Sequence, residues 1–402
     1  MNFEAFELHP HLLAGIRRST YTEPTPIQAQ VIPKILAGKD VLGVAQTGTG
    51  KTAAFAIPIL QRLMEGPRRG SRALVIVPTR ELAEQIHGSF TVLGRKVNVQ
   101  STPVYGGVGM QPQIDRLRNG KDIVIACPGR LLDHLERGTI DLSQVETLVL
   151  DEADRMFDMG FLPDLRKIIA RLPRQRQSLL FAATMPEEVQ ALANKVLRQP
   201  EVVRIDQETI AVTVSHTLYP VGQGGKTDLL LRLLHHTDTQ SVLVFTQTRD
   251  LARRLADTLG KAGHRATSLQ ADLSQGRRQA ALDGFRDGTY QILVATDIAA
   301  RGLDVSTISH VINYDMPNTV DDYAHRIGRT GRACRGGHAV SLVTPDDTEM
   351  VRAIEATLGA NIEPGKTPGP CAPRAGDNRR TGRGTGGERG VRARGKVNPR
   401  RR

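Results

Sequence analysis

Short apolar runs alternate with amphipathic segments along most of the chain. Between residues 40 and 205 these runs are rich in Val, Ile and Leu, and they cover 41–45, 73–78, 122–127, 147–153 and 178–184. Such runs, separated by helical patterns, predict parallel strands buried on both faces of a sheet. The pattern therefore predicts an α/β domain with helices on both sides of its sheet.

A second series with the same alternation follows a polar stretch near 205–215. Its apolar runs cover 241–247, 266–271, 291–297, 310–315 and 338–344, and its helical patterns cover 226–236, 249–262, 274–286 and 319–328. Two successive α/β domains fit a length of 402 residues. The predicted boundaries are 1–208 and 209–360 for the domains and 361–402 for a tail.

Composition excludes several classes of protein. No stretch approaches 18 consecutive apolar residues, and the first residues lack the basic and apolar regions of a secretion signal. Cys127, Cys334 and Cys371 lie far apart without CxxC spacing, which argues against a disulfide framework or a zinc site. We expect a cytoplasmic protein that does not contact a membrane.

The net charge of +12 is concentrated at one end of the chain. Residues 361–402 hold 12 Lys and Arg against 3 Asp and Glu, with 9 Gly and no Phe, Tyr or Trp. This composition cannot bury enough apolar area to offset the entropy of ordering, and it predicts a disordered Arg/Gly-rich basic tail. The tail is either a solubility appendage or an electrostatic tether for nucleic acid.

A glycine-rich segment with phosphate-binding chemistry follows the first predicted strand. It reads Gln46-Thr47-Gly48-Thr49-Gly50-Lys51-Thr52. The glycines allow backbone N–H groups to surround phosphate oxygens, Lys51 would neutralise the phosphates, and the Thr52 hydroxyl would bind Mg²⁺. Ala45 stands where the strict pattern has its first Gly. The sequence predicts a nucleoside triphosphate site here.

A second Gly-Lys-Thr occurs in Gly224-Gly225-Lys226-Thr227. Pro220 holds the position of the first Gly, and an apolar helical pattern begins directly after the segment. We interpret it as the start of a helix and not as a second nucleotide site.

Two adjacent carboxylates, Asp151 and Glu152, follow the apolar run 147–150. A surface turn would explain acidic residues there. In nucleoside triphosphatases, however, the end of a strand near the phosphate loop carries the Mg²⁺ ligand, and a neighbouring Glu can deprotonate the attacking water. The sequence thus predicts Asp151 as metal ligand and Glu152 as general base.

Three arginines follow one another at i, i+3 and i+6 near the end of the second domain, at Arg326, Arg329 and Arg332. On a helix that ends in glycines they would project together and could reach a phosphate bound by another domain. A solvated charged face is the alternative.

These motifs resemble, in order and spacing over residues 3–345, those of DEAD-box RNA helicases of superfamily 2, most closely the bacterial RhlE-type group. The resemblance implies two tandem RecA-like parallel-sheet domains with a cleft between them. It also implies that residues 3–28 contain the Q motif, in which Phe3, Tyr21 and Gln28 contact the nucleotide and Gln28 selects adenine. Lys51, Thr52, Asp151 and Glu152 fall on the family's nucleotide and metal positions.

The resemblance implies further roles at the nucleotide and RNA sites. Asp304 would contact the ATP ribose, and Arg329 and Arg332 would be arginine fingers toward the γ-phosphate. The positions matching the RNA-binding motifs are Thr79, Arg80, Gly107, Gly129, Arg130, Arg278, Thr296 and Gly302. Few aromatic residues lie in these loops, so contacts to the RNA backbone without sequence preference are expected.

The chain departs from the family pattern at three motifs. Ala182 replaces the Ser of Ser-Ala-Thr, Cys127 replaces a Thr, and Gln270 with Ala271 replaces a His-Gly pair. None of these changes touches the predicted hydrolytic groups. The coupling of hydrolysis to strand separation is more sensitive to these three changes than hydrolysis itself.

The sequence therefore predicts an ATP-dependent RNA helicase that uses ATP and Mg²⁺, acts on single strands and short duplexes, and remodels RNA–protein complexes. Two rivals remain: an RNA clamp or chaperone that cycles ATP with weak unwinding, and a DNA-dependent remodelling ATPase. We expect a monomer, because no extended apolar heptad segment is present. Ribosomal or RNA-decay partners are left open.

Overall fold

The structure is a computed structural model in which the chain forms two α/β domains. The described residues are 2–19, 21–46, 48–66, 70–205, 214–236, 239–270, 272–300, 308–330 and 336–366. Within these ranges no helix is long and apolar enough to cross a membrane.

The first domain is built on a parallel sheet of seven strands in the order β3-β4-β2-β5-β6-β1-β7. The strands are β1 (Val41–Val44), β2 (Ala73–Ile76), β3 (Ser101–Val104), β4 (Ile123–Ala126), β5 (Thr147–Leu150), β6 (Gln177–Ala182) and β7 (Glu201–Arg204). Five of them coincide with the predicted apolar runs. The sequence analysis did not anticipate β3 and β7, which form the two edges of the sheet.

Nine helices of the described first domain surround this sheet. They are α1 (Pro10–Arg18), α2 (Pro26–Leu36), α3 (Lys51–Leu63), α4 (Arg80–Leu93), α5 (Met110–Arg118), α6 (Pro128–Glu136), α7 (Ala153–Asp158), α8 (Leu162–Ile169) and α9 (Glu187–Val196). Their starts follow local chemistry: Thr25 and Gln28 form a capping box at α2, and the Thr79 hydroxyl accepts from the amide of Leu82 at α4.

Successive residues of each central strand point into different apolar clusters. In β5, Leu148 and Leu150 join one cluster and Val149 joins the other. All three side chains are fully buried. This two-sided burial explains why the central strands are mostly apolar.

The second domain contains a parallel sheet of six strands in the order β10-β11-β9-β12-β13-β8. Its strands are β8 (Val214–Pro220), β9 (Val242–Phe245), β10 (Ala266–Leu269), β11 (Ile292–Ala295), β12 (His310–Asn313) and β13 (Gly337–Val343). Its helices are α10 (Lys226–His236), α11 (Arg249–Lys261), α12 (Gln275–Arg286), α13 (Asp297–Ala300), α14 (Val320–Ile327) and α15 (Thr348–Leu358). β8 was not anticipated from the sequence, and it too is an edge strand.

Residues 361–366, which the sequence analysis assigns to the tail, pack on the second domain. Ile362 is buried in the cluster around α14 and α15, and Gly365 donates a backbone hydrogen bond of 2.7 Å to Leu218 of β8. The compact unit extends to Pro368. Residues 367–402 lie outside the described part of the chain.

Because the strands of the first sheet are parallel, the predicted nucleotide residues lie at the carboxyl ends of neighbouring strands. Val44 at the end of β1 pairs with Ala182 of β6, and Leu150 at the end of β5 pairs with Leu180. One strand, β6, therefore lies between the two strands that carry the phosphate loop and the carboxylates.

Candidate nucleotide and RNA sites

The phosphate loop curls because two of its glycines adopt left-handed backbone angles. Gly48 has φ 88° and Gly50 has φ 92°, a region that residues with a Cβ rarely enter. Lys51 begins α3 and is buried, and its Nζ donates a 2.5 Å hydrogen bond to the carbonyl of Ala45. The ammonium thus lies inside the loop. The Thr49 hydroxyl donates a 2.8 Å hydrogen bond to the Gln46 carbonyl.

The predicted adenine-selecting residue, Gln28, is fully buried beside this loop. Its Oε1 accepts from the Thr25 amide at 3.0 Å, and its Nε2 donates to the Gly50 carbonyl at 3.1 Å. The Thr25 hydroxyl donates to the Thr49 carbonyl at 2.7 Å. A Cβ at position 50 would collide with the Gln28 amide. The Q-motif segment therefore braces the phosphate loop.

The two predicted aromatic residues of the nucleotide site contact each other. The rings of Phe3 and Tyr21 meet edge to face with centroids 6.3 Å apart. Phe3 also packs edge to face on Phe6 and is buried in the first-domain core, while Tyr21 is half-buried. Phe3 thus supports the ring that remains partly accessible.

The predicted metal ligand, Asp151, is buried directly after β5. Burial raises the pKa of Asp151 to about 7, and the nearby Lys51 charge opposes this rise. The amide of Glu152 donates to Asp151 Oδ1 at 3.0 Å. Glu152 itself is buried and has φ 53°, a left-handed angle that is uncommon for a residue with a side chain. Such backbone strain is frequent at functional sites.

The third carboxylate, Asp154, links the acidic segment to β6. Its Oδ2 accepts from the amides of Ala183 and Thr184, both at 2.9 Å, and from the Thr184 hydroxyl at 3.3 Å. Ala182 is fully buried in an apolar cluster. The link therefore forms without a hydroxyl at 182.

In the second domain, Arg326 holds its own segment in place. Its guanidinium pairs with both oxygens of Asp297 at 2.6 and 2.7 Å, donates to Asn313 at 3.0 Å, and lies 4.9 Å from the Phe245 ring centroid. The Arg329 side chain is also buried, and its Nε donates to the His325 carbonyl at 3.3 Å. Arg326 is therefore held by contacts within its own domain.

The two domains meet beside this arginine segment. His325, Arg326 and Arg329 line a cavity of about 10 Å³ together with Arg155 of the first domain. Burial lowers the pKa of His325 to about 4, and Arg155 contributes in the same direction. His325 is therefore neutral at pH 7.

Most predicted RNA-binding residues of the first domain line one groove. Thr79, Arg80, Gly129 and Arg130 border a cavity of about 330 Å³, which also includes Phe161. Gly107 has φ 79°, and a Cβ there would collide with the Arg80 guanidinium. Arg130 donates to the Val108 carbonyl at 3.0 Å.

Arg278 reaches the same groove from the second domain. Its Nε and Nη2 lie 2.7 Å from Glu81 Oε1, and its Nη1 donates to the Gln270 carbonyl at 2.6 Å. Both charged side chains are 8% exposed. Arg278, predicted to contact RNA, thus joins the two domains, with the groove at its side.

The remaining predicted residues are placed as follows. Thr52 is the second residue of α3, and Thr296 is buried just before α13. Thr47, Gly302, Asp304 and Arg332 lie outside the described residues. The sequence carried no signal for Arg155 or Phe161; only their closeness to motif residues in the chain could have drawn attention to them.

Comparisons with known proteins agree with this arrangement. The family described as DEAD/DEAH box helicase matches residues 25–192, and the helicase conserved C-terminal domain matches residues 225–334. The DEAD-box ATP-dependent RNA helicase CshA of Bacillus subtilis is 42% identical over 370 residues, which cover 92% of this chain and 74% of that protein. The ATP-dependent RNA helicase DeaD of Mycobacterium tuberculosis is 42% identical over 91% of this chain and 65% of its own length.

Solved structures lead to the same family. Dbp5 of S. cerevisiae bound to RNA and ADP BeF3 has a TM-score of 0.82 and 28% identity, covering 90% of this chain and 95% of that one. A DEAD box protein from Methanococcus jannaschii has a TM-score of 0.54 and 36% identity, covering 91% and 99%. The RNA- and nucleotide-bound neighbour matches better despite its lower identity. The chain therefore belongs to the DEAD-box family of ATP-dependent RNA helicases, whose members are RNA-stimulated ATPases.

Proposed function

We propose that the catalytic centre for ATP hydrolysis lies at the carboxyl ends of the strands of the first-domain sheet. The residue roles follow. The observation that carries this proposal is the meeting of the buried Lys51 and Asp151 at the ends of β1 and β5, where the lysine charge acts on the carboxyl. The loop amides and Lys51 hold the ATP phosphates, and Glu152 takes a proton from the attacking water.

We propose Thr52 and Asp151 as the protein ligands of Mg²⁺. Mg²⁺ is usually held by one or two carboxylates, substrate phosphates and several waters. Bound there, the ion would neutralise charge on the phosphates.

We propose that Phe3, Tyr21 and Gln28 read the adenine, with Ala45 to Gly50 lining the phosphates and Asp304 on the ribose. Two of the hydrogen-bonding positions of the Gln28 amide are used within the protein, which leaves one N–H and one lone pair for a base. From the second domain, Arg329 and Arg332 would stabilise charge on the γ-phosphate.

We propose that RNA lies along the groove formed by Thr79, Arg80, Gly107, Gly129 and Arg130, continued by Arg278, Thr296 and Gly302. Arginines and backbone groups of this kind contact phosphates and ribose and do not distinguish bases. Domain contact through Glu81 and Arg278 beside the groove supports coupling between RNA binding and closure. Short duplexes would part as closure bends one strand.

Several finer assignments are also proposals. Membership of the RhlE-type group, a cytoplasmic location, a monomeric state and ribosomal or RNA-decay partners rest on the sequence alone. The alternative of an ATP-cycling clamp with weak unwinding is distinguished by a strand-displacement assay. The hydrogen bonds of Thr184 to Asp154 favour productive unwinding, because they supply a link that the missing serine would otherwise make.

The test of the catalytic assignment is Glu152→Gln, compared with Glu146→Gln at the other end of β5. We expect the first to lower RNA-stimulated ATP hydrolysis by about 10²–10⁴-fold while ATP still binds, because only the proton acceptor is lost. Glu146 pairs with Arg72 away from the site, so its variant should keep the parental rate. A parental rate in Glu152→Gln would refute the assignment.

We also propose that the basic tail tethers RNA. Removal of residues 369–402 takes away 11 Lys and Arg and 2 acidic residues and leaves Ile362 in its cluster. If about six cations meet phosphates, the slope of log K against log salt for single strands should lose about 4. RNA-saturated ATPase should stay parental. An unchanged slope in a salt titration would support the solubility interpretation.

A further inference from the structure

A buried ion pair of unusual geometry lies next to the proposed general base. Arg155, in the first turn of α7, lies three residues after Glu152, and their side chains are 3% and 6% exposed. Arg155 Nη1 and Glu152 Oε2 are 3.5 Å apart. Neither atom has a hydrogen-bond partner among the described residues.

The other end of β5 carries an ion pair with complete bonding, in which the arginine is buried and the glutamate is 47% exposed. Arg72 donates to both oxygens of Glu146 at 2.8 and 3.0 Å and to the Glu65 carbonyl at 2.8 Å. Buried charges are normally satisfied in this way because desolvating them is costly. The pair of Arg155 and Glu152 is looser than this, and its own Glu152 has a left-handed backbone angle.

Arg155 also faces the second domain. In the cavity of about 10 Å³, which has room for about one water, it is the first-domain contributor, and the other lining residues include His325 and Arg329. Its charge acts on His325 across this contact. One guanidinium thus lies 3.5 Å from the proposed base and lines a cavity shared with the arginine segment.

We propose that Arg155 is a positioning residue that orients the Glu152 carboxylate for water activation when the second domain is seated against it. The proposal rests on the proposed function, in which Glu152 is the base. Water attacks the γ-phosphorus, the bond from phosphorus to the ADP oxygen breaks, and the water proton passes to Glu152. In this role Arg155 acts by fixing the carboxylate through Oε2.

The placement explains the loose geometry. A tight bidentate pair, like that of Arg72, would occupy the carboxylate lone pairs that must accept the proton. At 3.5 Å the guanidinium restrains Oε2 and leaves the carboxylate able to accept. Because the same guanidinium borders His325 and Arg329, its position depends on domain contact. Hydrolysis is thereby restricted to the closed arrangement.

The experiment is a double-mutant cycle on kcat for ATP hydrolysis, with the full chain and saturating oligouridine RNA. We expect Arg155→Gln to lower kcat about 10- to 100-fold while the KM for ATP and the RNA affinity stay within about twofold. Arg155→Lys, which keeps a cation, should recover part of the loss. In the Glu152→Gln background, Arg155→Gln should cost less than about twofold more, because its effect passes through that carboxylate.

The matched control is Arg72→Gln, alone and with Glu146→Gln. These control variants are expected to lower the thermal midpoint and to leave kcat parental. The comparison separates a positioning role of Arg155 from the general effect of losing a buried arginine. If Arg155→Gln does not fold, Arg155→Met and Arg155→Lys provide the same comparison.

The outcomes are distinct. A parental kcat in Arg155→Gln, with Glu152→Gln inactive, overturns this inference and leaves the role of Glu152 intact. A parental kcat in Glu152→Gln overturns the proposed function itself. Equal losses from Arg155→Gln in both backgrounds, or a raised KM for ATP, also overturn the inference, because Arg155 would then act on the nucleotide or on the domain contact directly.

Discussion

The chain contains the tripeptide Gly-Lys-Thr twice, and the structure gives the two copies different surroundings. Gly50-Lys51-Thr52 follows β1, which is paired on both sides by β6 and β7. Gly225-Lys226-Thr227 follows β8, which pairs with β13 at the edge of the second sheet. In both places a strand leads through a short loop into a helix.

The difference lies in what each lysine contacts. Lys51 is enclosed by its own loop, bonded to the Ala45 carbonyl and close enough to Asp151 to influence its pKa. Lys226 forms an ion pair of 3.1 Å with Asp315 and lies 5.6 Å from the Tyr314 ring centroid. The Lys226 ammonium, which a phosphate would need, is therefore already paired with the Asp315 carboxylate.

The glycines differ in the same direction. Gly50 requires its left-handed φ and has no room for a Cβ beside Gln28. At the matching Gly225, φ is not in the left-handed region, and a Cβ would lie 3.0 Å from Cγ2 of Val221. The first tripeptide has the backbone shape of a phosphate loop. The second is only the start of α10, which agrees with the prediction from Pro220 and the polar break.

The largest expected effect comes from exchanging the two lysines for alanine. Lys51→Ala should raise the KM for ATP by roughly 10- to 100-fold, the equivalent of losing a charged hydrogen bond of about 1.5–3 kcal/mol. Lys226→Ala should leave ATP kinetics parental and lower the free energy of unfolding by about 1.5–3 kcal/mol, because Asp315 loses its cation. Steady-state ATPase assays and urea titrations measure both. ATP kinetics altered equally by the two substitutions would remove the contrast.

A smaller effect is expected from the glycines. Gly50→Ala forces a Cβ into left-handed backbone, which costs about 1–2 kcal/mol, and pushes Gln28 from the loop. ATP affinity, measured by equilibrium titration, should fall roughly 5- to 30-fold. Gly225→Ala is the matched control, and its ATP affinity should stay parental. Parental ATP affinity in Gly50→Ala would show that the loop tolerates another backbone shape.

The difference between edge and central strands explains which strands could be predicted from the sequence. The central strands are buried on both faces, so most of their residues are apolar and the pattern located them. The three strands that were not anticipated are edge strands: β3 contains Ser101 and Thr102, β7 contains Glu201 and Arg204, and β8 is only partly buried. Edge strands bury less surface and can be polar, which removes the signal.

The site followed from the sequence where a backbone shape demands a residue type. The glycines of the phosphate loop and Gly107 carry such a signal, because their angles exclude side chains. Arginines do not, since one side chain can hold a phosphate, a carboxylate or a carbonyl. Arg326 is enclosed by Asp297 and Asn313, and Arg278 reaches Glu81 from 197 positions away. Only the fold decides such partners.

The smallest effect is expected from the threonines that complete the two tripeptides. Thr52→Ala removes one neutral ligand proposed for Mg²⁺, and a loss of about 1 kcal/mol would raise the Mg²⁺ concentration for half-maximal ATPase about fivefold. The Thr227 hydroxyl lies 2.8 Å from the Tyr314 hydroxyl instead. Thr227→Val, which keeps the volume, should cost about 0.5–1.5 kcal/mol of stability with the parental Mg²⁺ requirement. Because catalytic rate and stability both change little here, the Mg²⁺ titration is the deciding measurement: an unchanged midpoint in Thr52→Ala would exclude its hydroxyl from the metal site, and Asp151 would then be the protein's ligand.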